Sequence, residues 1–337
     1  MSGTLPAMTS RLDPGTTRAI GIDVGGSKVA AAVVSRGGKV VDERRIPTPS
    51  SHDTGLTRAL ADLVEALWAD HGPVDAVGVG IAGLVEWPEG RVRSATNHNH
   101  RGVGLRRLLA GTLDTGPAAG VRVVVDNDAN CAAYAETVRP EARDLLFVAI
   151  GTGVGSGILL DGEPFRGRTG MAGEIGHVLV QSDGPRCSCG RIGCLEAVAS
   201  AKALAARVQH LVAQDPKGSL AQFVGRAPLT PKLAIRAALE GDPEVRKIVR
   251  GMGRAIATAA ETAHALINFD EIVIGGGVAA LGDLLLMPVR ERLERYSEMS
   301  RHLAPPKVRT SLHGASSIVV GAALLGLTTD TRVAEPV

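Results

Sequence analysis

The pattern of apolar and polar positions divides the chain into short buried strands, most of them closed by glycine turns, and longer helices with one apolar face. Leucine and valine recur at helical spacing between positions 56 and 67, whereas the strands are short apolar runs. In the first half the pattern predicts strands over 19–24, 28–35, 39–47, 75–83 and 121–128, and helices over 54–70, 104–110 and 129–138. The first three strands read as a meander, because Gly-Gly pairs at 25–26 and 37–38 supply tight turns.

The pattern then restarts at "DLLFVAIGTGVGSGILLDGEPF", residues 144–165, which again reads as strand, glycine turn and strand. Its resemblance to the opening hairpin predicts an internal duplication at the level of the fold. The second half further predicts a strand over 270–277 and helices over 244–267, 281–296 and 316–327. Because strands and helices alternate without a short repeat, we expect an α/β fold.

Length and composition narrow the class of protein. A chain of 337 residues favours about two domains, and with 2% aromatic residues its core must be filled by Val, Ile, Leu and Ala. The net charge of +2 gives no electrostatic reason to expect nucleic acid or an anionic membrane as a partner. No apolar run approaches the roughly 18 residues of a membrane span. The polar N-terminus, broken by Pro and Gly, does not resemble a signal peptide. We therefore expect a cytoplasmic protein with a disordered leader over 1–17.

Three strand ends lead into glycine-rich turns: "IDVGGSK" (22–28), "AIGTGVGSG" (149–157) and "VIGGGV" (273–278). Such turns let backbone N–H groups approach a phosphate without an intervening Cβ. The candidate nucleotide-binding residues are Gly25, Gly26, Ser27, Lys28, Thr152, Gly153, Gly275 and Gly276. Asp23 could orient Mg²⁺ through water. Taken singly, each turn is equally typical of an ordinary hairpin. A turn-forming aspartate is the alternative interpretation of Asp23.

The stretch "VVVDNDANCAAYAE" places Asn127 and Asp128 where a buried strand ends and a helix begins. Ligands of open α/β sheets bind at this end of the strands. Asp128 has the residue type and the place of a general base. The residues alone are equally consistent with Asp126 or Asp128 capping the helix that follows.

His177, Cys187, Cys189 and Cys194 follow an H-x9-C-x-C-x4-C spacing. Zn²⁺ takes four tetrahedral nitrogen or sulfur ligands, and glycines in the loop allow it to wrap around one ion. Two alternatives stay open on spacing alone. One is a redox pair in the Cys-x-Cys segment, and the other is a loop of buried cysteines without a metal.

The motifs "IDVGGSK", "DNDAN", "GTGVGSG", "GEIGH", "CSCGRIGCLE" and "IGGG" occur here in the order and spacing of the ROK family, and the chain resembles that family over residues 18–325. The resemblance implies an α/β, two-domain actin-like (ribonuclease-H-like) sugar kinase fold with a cleft between the domains. It implies domains over 18–127 plus 316–330 and over 128–315, the second with the zinc loop. It also implies ATP, Mg²⁺, a structural Zn²⁺, a hexose substrate and a homo-oligomer, dimer or tetramer.

The resemblance assigns roles to individual residues. Asp128 becomes the catalytic base, Asp126 a structural residue, and His177, Cys187, Cys189 and Cys194 the zinc ligands. The implied sugar-binding residues are Gly83, Asn97, Asn127, Glu174, His177 and Glu196. On this reading His177 binds zinc through one ring nitrogen and a sugar hydroxyl through the other. From the residues alone, Glu174 and Glu196 could also be solvated loop charges.

The zinc-containing kinases of the family lead us to expect phosphorylation of a hexose at its 6-hydroxyl, with glucose first. The alternatives are fructose, allose, N-acetylmannosamine or N-acetylglucosamine as substrate, because the segment around Asn97 departs from the family's substrate loop. A sugar-sensing DNA-binding regulator is a further alternative. We expect an enzyme instead, since only about 17 polar residues precede the first strand, too few for a winged helix-turn-helix.

Overall fold

The computed structural model describes residues 17–49, 53–95, 102–225, 228–300 and 304–328. Asn97 and residues 1–16 of the expected leader lie outside this part of the chain. The strands are β1 (Arg18–Val24), β2 (Lys28–Ser35), β3 (Val40–Pro47), β4 (Ala76–Ile81), β5 (Gly83–Glu86), β6 (Arg91–Ala95), β7 (Arg122–Asn127), β8 (Leu145–Ile150), β9 (Val154–Leu160), β10 (Glu163–Pro164), β11 (Glu271–Gly275) and β12 (Lys307–Thr310).

The helices follow the same order along the chain. They are α1 (Asp53–His71), α2 (Leu105–Leu113), α3 (Asp128–Tyr134), α4 (Leu195–Ala199), α5 (Ala201–Gln214), α6 (Ser219–Val224), α7 (Pro231–Leu239), α8 (Pro243–Ile267), α9 (Asp283–Ser300) and α10 (Ser317–Gly326). The helix predicted over 129–138 is shorter than expected, because α3 ends at Tyr134 and a 3₁₀ turn covers Ala135–Val138. No helix within the described ranges combines the length and the apolar character needed to span a membrane.

The chain divides into two compact units. Unit 1 comprises the described residues up to Glu141, the segment Arg166–Ala172 and those from Ser316 onward, and unit 2 comprises those of Ala142–Phe165 and Gly173–Ala315. We expected the boundary between the two domains to lie between residues 127 and 128, whereas α3, which begins at Asp128, belongs to unit 1. The reason is packing, because Cys131 of α3 lies in one buried cluster with Ala322 and Leu325 of α10.

Unit 1 is built on a five-stranded sheet in the order β3-β2-β1-β4-β7. β1, β2 and β3 form the predicted antiparallel meander, and β4 and β7 run parallel to β1. One face of the sheet packs its valines and isoleucines against α1 and α2. The other face carries small residues and packs against α10 and the region after α3.

Glycines on that second face bring α10 unusually close to the sheet. A methyl group on Gly21 of β1 would overlap the Val319 carbonyl, and one on Gly78 of β4 would overlap the Ala322 carbonyl. Both glycines face each other in register on neighbouring strands. The backbone of α10 therefore rests directly on the sheet, which positions the carboxyl ends of β1, β4 and β7.

Unit 2 repeats this arrangement with a five-stranded sheet in the order β10-β9-β8-β11-β12. β8, β9 and β10 form an antiparallel meander, and β11 and β12 run parallel to β8. Strand order and directions match those of unit 1, which confirms the predicted duplication at the level of the fold. Its own apolar core joins the sheet to α4, α5, α7, α8 and α9.

Candidate functional site

Asn127, and not an aspartate, is the N-cap of α3. Its Oδ1 accepts hydrogen bonds from the backbone N–H groups of Ala129 at 2.8 Å and Asn130 at 3.2 Å. Its Nδ2 donates to the carbonyl of Gly83 at 2.9 Å. Asp128 occupies the first helical position, where its Oδ1 lies 2.9 Å from the Ala129 N–H. The carboxylate of Asp128 is therefore oriented by the helix start, while its neighbour carries the cap.

Asp126 is buried, with 1% of its surface exposed, and forms an ion pair with Arg166, whose Nε lies 2.7 Å from Asp126 Oδ2. The other carboxylate oxygen accepts hydrogen bonds from Asn127 N–H at 2.7 Å and Asn130 Nδ2 at 3.0 Å. The Arg166 guanidinium also lies over the ring of Trp87, 3.7 Å from its centre. These contacts tie down the backbone on both sides of Asn127, in line with the structural role expected for Asp126.

Asp23 stands at the carboxyl end of β1, in register with Gly80 of β4 and, beyond it, with Asp126 of β7. Burial and the nearby charge of Asp128 raise the pKa of Asp23 from 3.8 to about 7. Buried carboxyls resist ionisation in this way unless a cation compensates for them. Asp23 and Asp128 thus form a carboxylate pair at one edge of the unit 1 sheet.

The turn between β1 and β2 holds the first group of nucleotide candidates. Gly25 N–H donates to the Lys28 carbonyl at 3.1 Å, and Thr48 Oγ1 donates to the Gly25 carbonyl at 2.7 Å. Gly26, Ser27 and Lys28 are exposed. The turn therefore presents a hydroxyl and an ammonium group beside exposed backbone.

The corresponding turn of unit 2, which we call the Thr152 turn, spans Gly151–Gly153 between β8 and β9. It is closed by a hydrogen bond from Gly151 N–H to the Gly153 carbonyl at 2.9 Å. In the third glycine segment Gly275 is buried and Gly276 is exposed. A methyl group on Gly275 would overlap the Phe147 ring, and one on Gly276, whose φ is +79°, would overlap the Ile150 backbone. These two glycines are required by packing.

The ligand atoms of His177, Cys187, Cys189 and Cys194 all lie within 4.8 Å of one another. Cys189 Sγ and Cys194 Sγ are 3.7 Å apart, as are Cys187 Sγ and His177 Nδ1. Ligands about 2.3 Å from a tetrahedral zinc ion are separated by about 3.8 Å. The spacing of the four groups therefore fits Zn²⁺, with His177 Nδ1 as the nitrogen ligand.

The backbone around these residues explains how they converge. The segment Arg186–Cys194, which we call the cysteine loop, is closed by hydrogen bonds from Cys187 N–H to the Arg191 carbonyl at 2.8 Å and from Gly190 N–H to the Cys187 carbonyl at 3.0 Å. Without a metal, hydrogen bonds from Arg191 lower the pKa of the Cys189 thiol to about 6, whereas burial raises that of Cys194 to about 11.

Glu174 and Glu196 differ in their surroundings. Glu174 is exposed, and its carbonyl accepts a hydrogen bond from His177 N–H at 3.1 Å, which places both in one tight turn. Glu196 lies in the first turn of α4, directly after the cysteine loop. Its Oε2 accepts from Val154 N–H at 3.1 Å and its Oε1 from Ser188 Oγ at 3.0 Å. Glu196 is therefore engaged by the protein, unlike a solvated loop charge.

A model of the ROK family matches residues 19–329 of the chain. The chain belongs to the ROK family. It is 34% identical to the glucokinase of Halalkalibacterium halodurans over 289 residues, 82% of this chain and 86% of that protein. It is 35% identical to the N-acetylmannosamine kinase of Salmonella typhi over 310 residues, 91% of this chain and 97% of that protein.

Among solved structures, the ROK chain is similar to a ROK family glucokinase from Streptomyces griseus in complex with glucose and AMPPNP. The TM-score is 0.79 with 31% identity, covering 92% of this chain and 99% of that one. The expected family, the actin-like two-domain α/β fold and the class of enzyme, a sugar kinase, are confirmed.

Sequence reasoning about this ROK chain did not single out Arg166, Trp87, Ser188 or Val154 as residues of the site. Arg166 lies 40 residues from Asp126, and Glu196 lies 42 residues from Val154, so no local spacing connects them. A buried arginine within a glycine-rich stretch carries no periodic signal of its own. The partners become visible only when the fold is known.

Proposed function

We propose that the chain transfers the γ-phosphoryl group of ATP to the 6-hydroxyl of a hexose, with glucose as the leading substrate. The observation that carries the proposal is Asp128 at the start of α3, oriented by the helix while Asn127 performs the capping. Phosphoryl transfer leaves the protein little covalent work beyond positioning and accepting the hydroxyl proton. A fixed carboxylate at the carboxyl edge of the sheet suits that role.

The sugar-binding residues that we propose are Gly83, Asn97, Asn127, Glu174, His177 and Glu196. The hydrogen bond between Asn127 and Gly83 supports a shared role for these two in shaping the backbone beside Asp128. If His177 Nδ1 binds zinc, its Nε2 is left to hydrogen-bond a sugar hydroxyl. Carboxylates such as Glu174 and Glu196 suit hydroxyl groups because each accepts several directional hydrogen bonds.

For the nucleotide we propose the Gly25–Lys28 turn and the Thr152 turn, with Gly275 and Gly276 shaping the backbone at the third. Mg²⁺, when bound, would neutralise phosphate charge, and Asp23 is the side chain proposed to orient it. The raised pKa of Asp23 supports a compensating cation at this carboxylate.

Zinc is proposed as a structural ion. The four protein groups would fill a tetrahedral site, so none of its positions would be open to water or substrate. Its effect would be to hold the cysteine loop, and with it His177 and Glu196, in one arrangement.

A second candidate substrate is N-acetylmannosamine. The similarity to the N-acetylmannosamine kinase of Salmonella typhi is as strong as that to the glucokinase and covers more of the chain. One additional pocket contact can decide between such sugars.

An assay that couples ADP release to a colour change, run over hexoses and N-acetylhexosamines, decides between glucose and N-acetylmannosamine. We expect the highest kcat/KM for glucose, and a higher value for N-acetylmannosamine would replace glucose as the proposed substrate.

The base is tested by Asp128→Asn. We expect kcat to fall by about 10²- to 10⁴-fold, because the amide cannot accept the hydroxyl proton. Thermal stability and ADP affinity should stay near those of the wild type. Asp62→Asn is the matched control, since Asp62 forms an exposed ion pair with Arg58 on α1 and should leave kcat unchanged. Near-normal turnover by Asp128→Asn would refute the assignment of the base.

A further inference from the structure

Glu196 connects two parts of unit 2 that have separate roles in the proposed function. Its Oε1 accepts a hydrogen bond from Ser188 Oγ at 3.0 Å, and its Oε2 accepts one from Val154 N–H at 3.1 Å. Ser188 lies between Cys187 and Cys189 in the cysteine loop, and Val154 follows the Thr152 turn directly. One carboxylate therefore bridges the cysteine loop and the turn proposed to bind phosphate.

The Thr152 turn rests against this carboxylate. A methyl group on Gly153 would overlap Glu196 Oε2, so the backbone passes as close as glycine allows. Thr152 itself is exposed. The position of the carboxylate therefore helps to set the positions of Gly153 and of the Val154 N–H.

On the other side, Ser188 is restrained by its neighbours. Cys187 and Cys189 both belong to the four-residue cluster that fits zinc. A residue between two metal ligands has little freedom once the metal is bound. The exposed hydroxyl of Ser188 is then held towards Glu196 by the loop itself.

We propose that Ser188 is a positioning residue for the nucleotide. Its hydrogen bond to Glu196 holds the carboxylate that supports the Thr152 turn, so an ordered cysteine loop keeps the phosphate-binding backbone in place. The consequence for nucleotide binding rests on the proposed function. The pair of hydrogen bonds that links Ser188 to Val154 through Glu196, which we call the relay, does not rest on it. The relay can be measured in the absence of any substrate.

The relay is tested by backbone hydrogen exchange on the full-length, zinc-loaded protein. Ser188→Ala should speed exchange of the Val154 amide several-fold while the zinc content stays at one ion per chain. Ser188→Thr keeps the hydroxyl and should exchange at the wild-type rate. Ser182→Ala is the matched control, because Ser182 is an exposed serine six residues earlier in the chain and outside the relay. An unchanged Val154 rate in Ser188→Ala overturns the inference and leaves the proposed function standing.

The effect on the nucleotide is measured by calorimetric titration of the same proteins with ADP. Ser188→Ala should bind ADP about fivefold more weakly, the effect of losing about one hydrogen bond. Ser188→Thr and Ser182→Ala should bind like the wild type. Faster exchange with unchanged ADP affinity would overturn the positioning role and the assignment of the Thr152 turn to the nucleotide. Loss of zinc from Ser188→Ala without faster exchange would assign Ser188 to metal retention and would also overturn the inference.

Discussion

Asp23 and Asp128 are two acidic side chains at the edge of one sheet, and their proximity has a measurable consequence. Burial of Asp23 and the charge of Asp128 raise the pKa of Asp23 to about 7. In the unfolded chain the same carboxyl titrates near 3.8. The folded protein therefore holds this proton over a pH range in which the unfolded chain has already lost it. Folding stability is coupled to pH through this difference.

Asp23→Asn tests this coupling in protein free of nucleotide and divalent cations. The stabilising effect of the bound proton is fully present below pH 4 and is lost as the pH rises through about 7. Asparagine resembles the protonated acid, so the variant should match the wild type at low pH and be more stable above pH 7. Urea unfolding midpoints between pH 4 and 8 measure the difference. A constant difference over that range would contradict the raised pKa.

Single residues differ in how far the sequence could reveal them. The spacing of His177, Cys187, Cys189 and Cys194 is local in the sequence, and the structure brings these four groups together. Asp128 as the base stays a prediction that rests on the resemblance to the ROK family. The capping role was open between Asp126 and Asp128, and the structure assigns it to Asn127 instead. Arg166 left no signal, since its partner Asp126 lies 40 residues away in the chain.

At the scale of elements, the contact between α10 and the sheet depends on positions without side chains. Gly78→Ala places a methyl group where the Ala322 carbonyl lies, and neither backbone can yield easily. We expect a loss of about 3 kcal/mol or more in the free energy of unfolding, at the upper end of the usual cost of overpacking. Chemical denaturation measures it.

Gly111→Ala is the matched control for this prediction. Gly111 is an exposed residue of α2, and a methyl group there would meet no neighbouring atom. Alanine has the higher helix propensity, so this variant should be more stable than the wild type by about 0.5–1 kcal/mol. Equal effects of the two substitutions would show that α10 does not rest on the sheet through its glycines.

Periodicity predicted the longest helix closely and missed the shortest strands. α8 was expected over 244–267 and is observed over Pro243–Ile267, because its 25 residues give many turns of consistent pattern. The two-stranded sheet of β5 and β6 was not predicted, since strands of 4 and 5 residues are too short to show alternation. β12, with 4 residues, was missed for the same reason.

Over the whole molecule, the duplication was readable from sequence because each unit opens with a strand, a glycine turn and a second strand. The boundaries of the two units were harder to predict from the sequence. Residues 128–141 and Arg166–Ala172 belong to unit 1 through packing and through the Asp126–Arg166 ion pair. Neither segment differs in composition from its surroundings, so contacts and not sequence define the boundary.

The large apolar clusters of the described residues each lie within one unit, and all four proposed zinc ligands lie in unit 2. Removing zinc with a selective chelator, with Mg²⁺ in excess, should therefore destabilise unit 2 and leave unit 1 unchanged. The physical reason is that loss of the ion leaves three closely spaced thiol groups without the bonds that hold the loop. Hydrogen exchange followed by mass spectrometry should show faster exchange around β9 and α4, while peptides of β1 and α1 keep their rates. Equal acceleration in both units would mean that they unfold as one cooperative body.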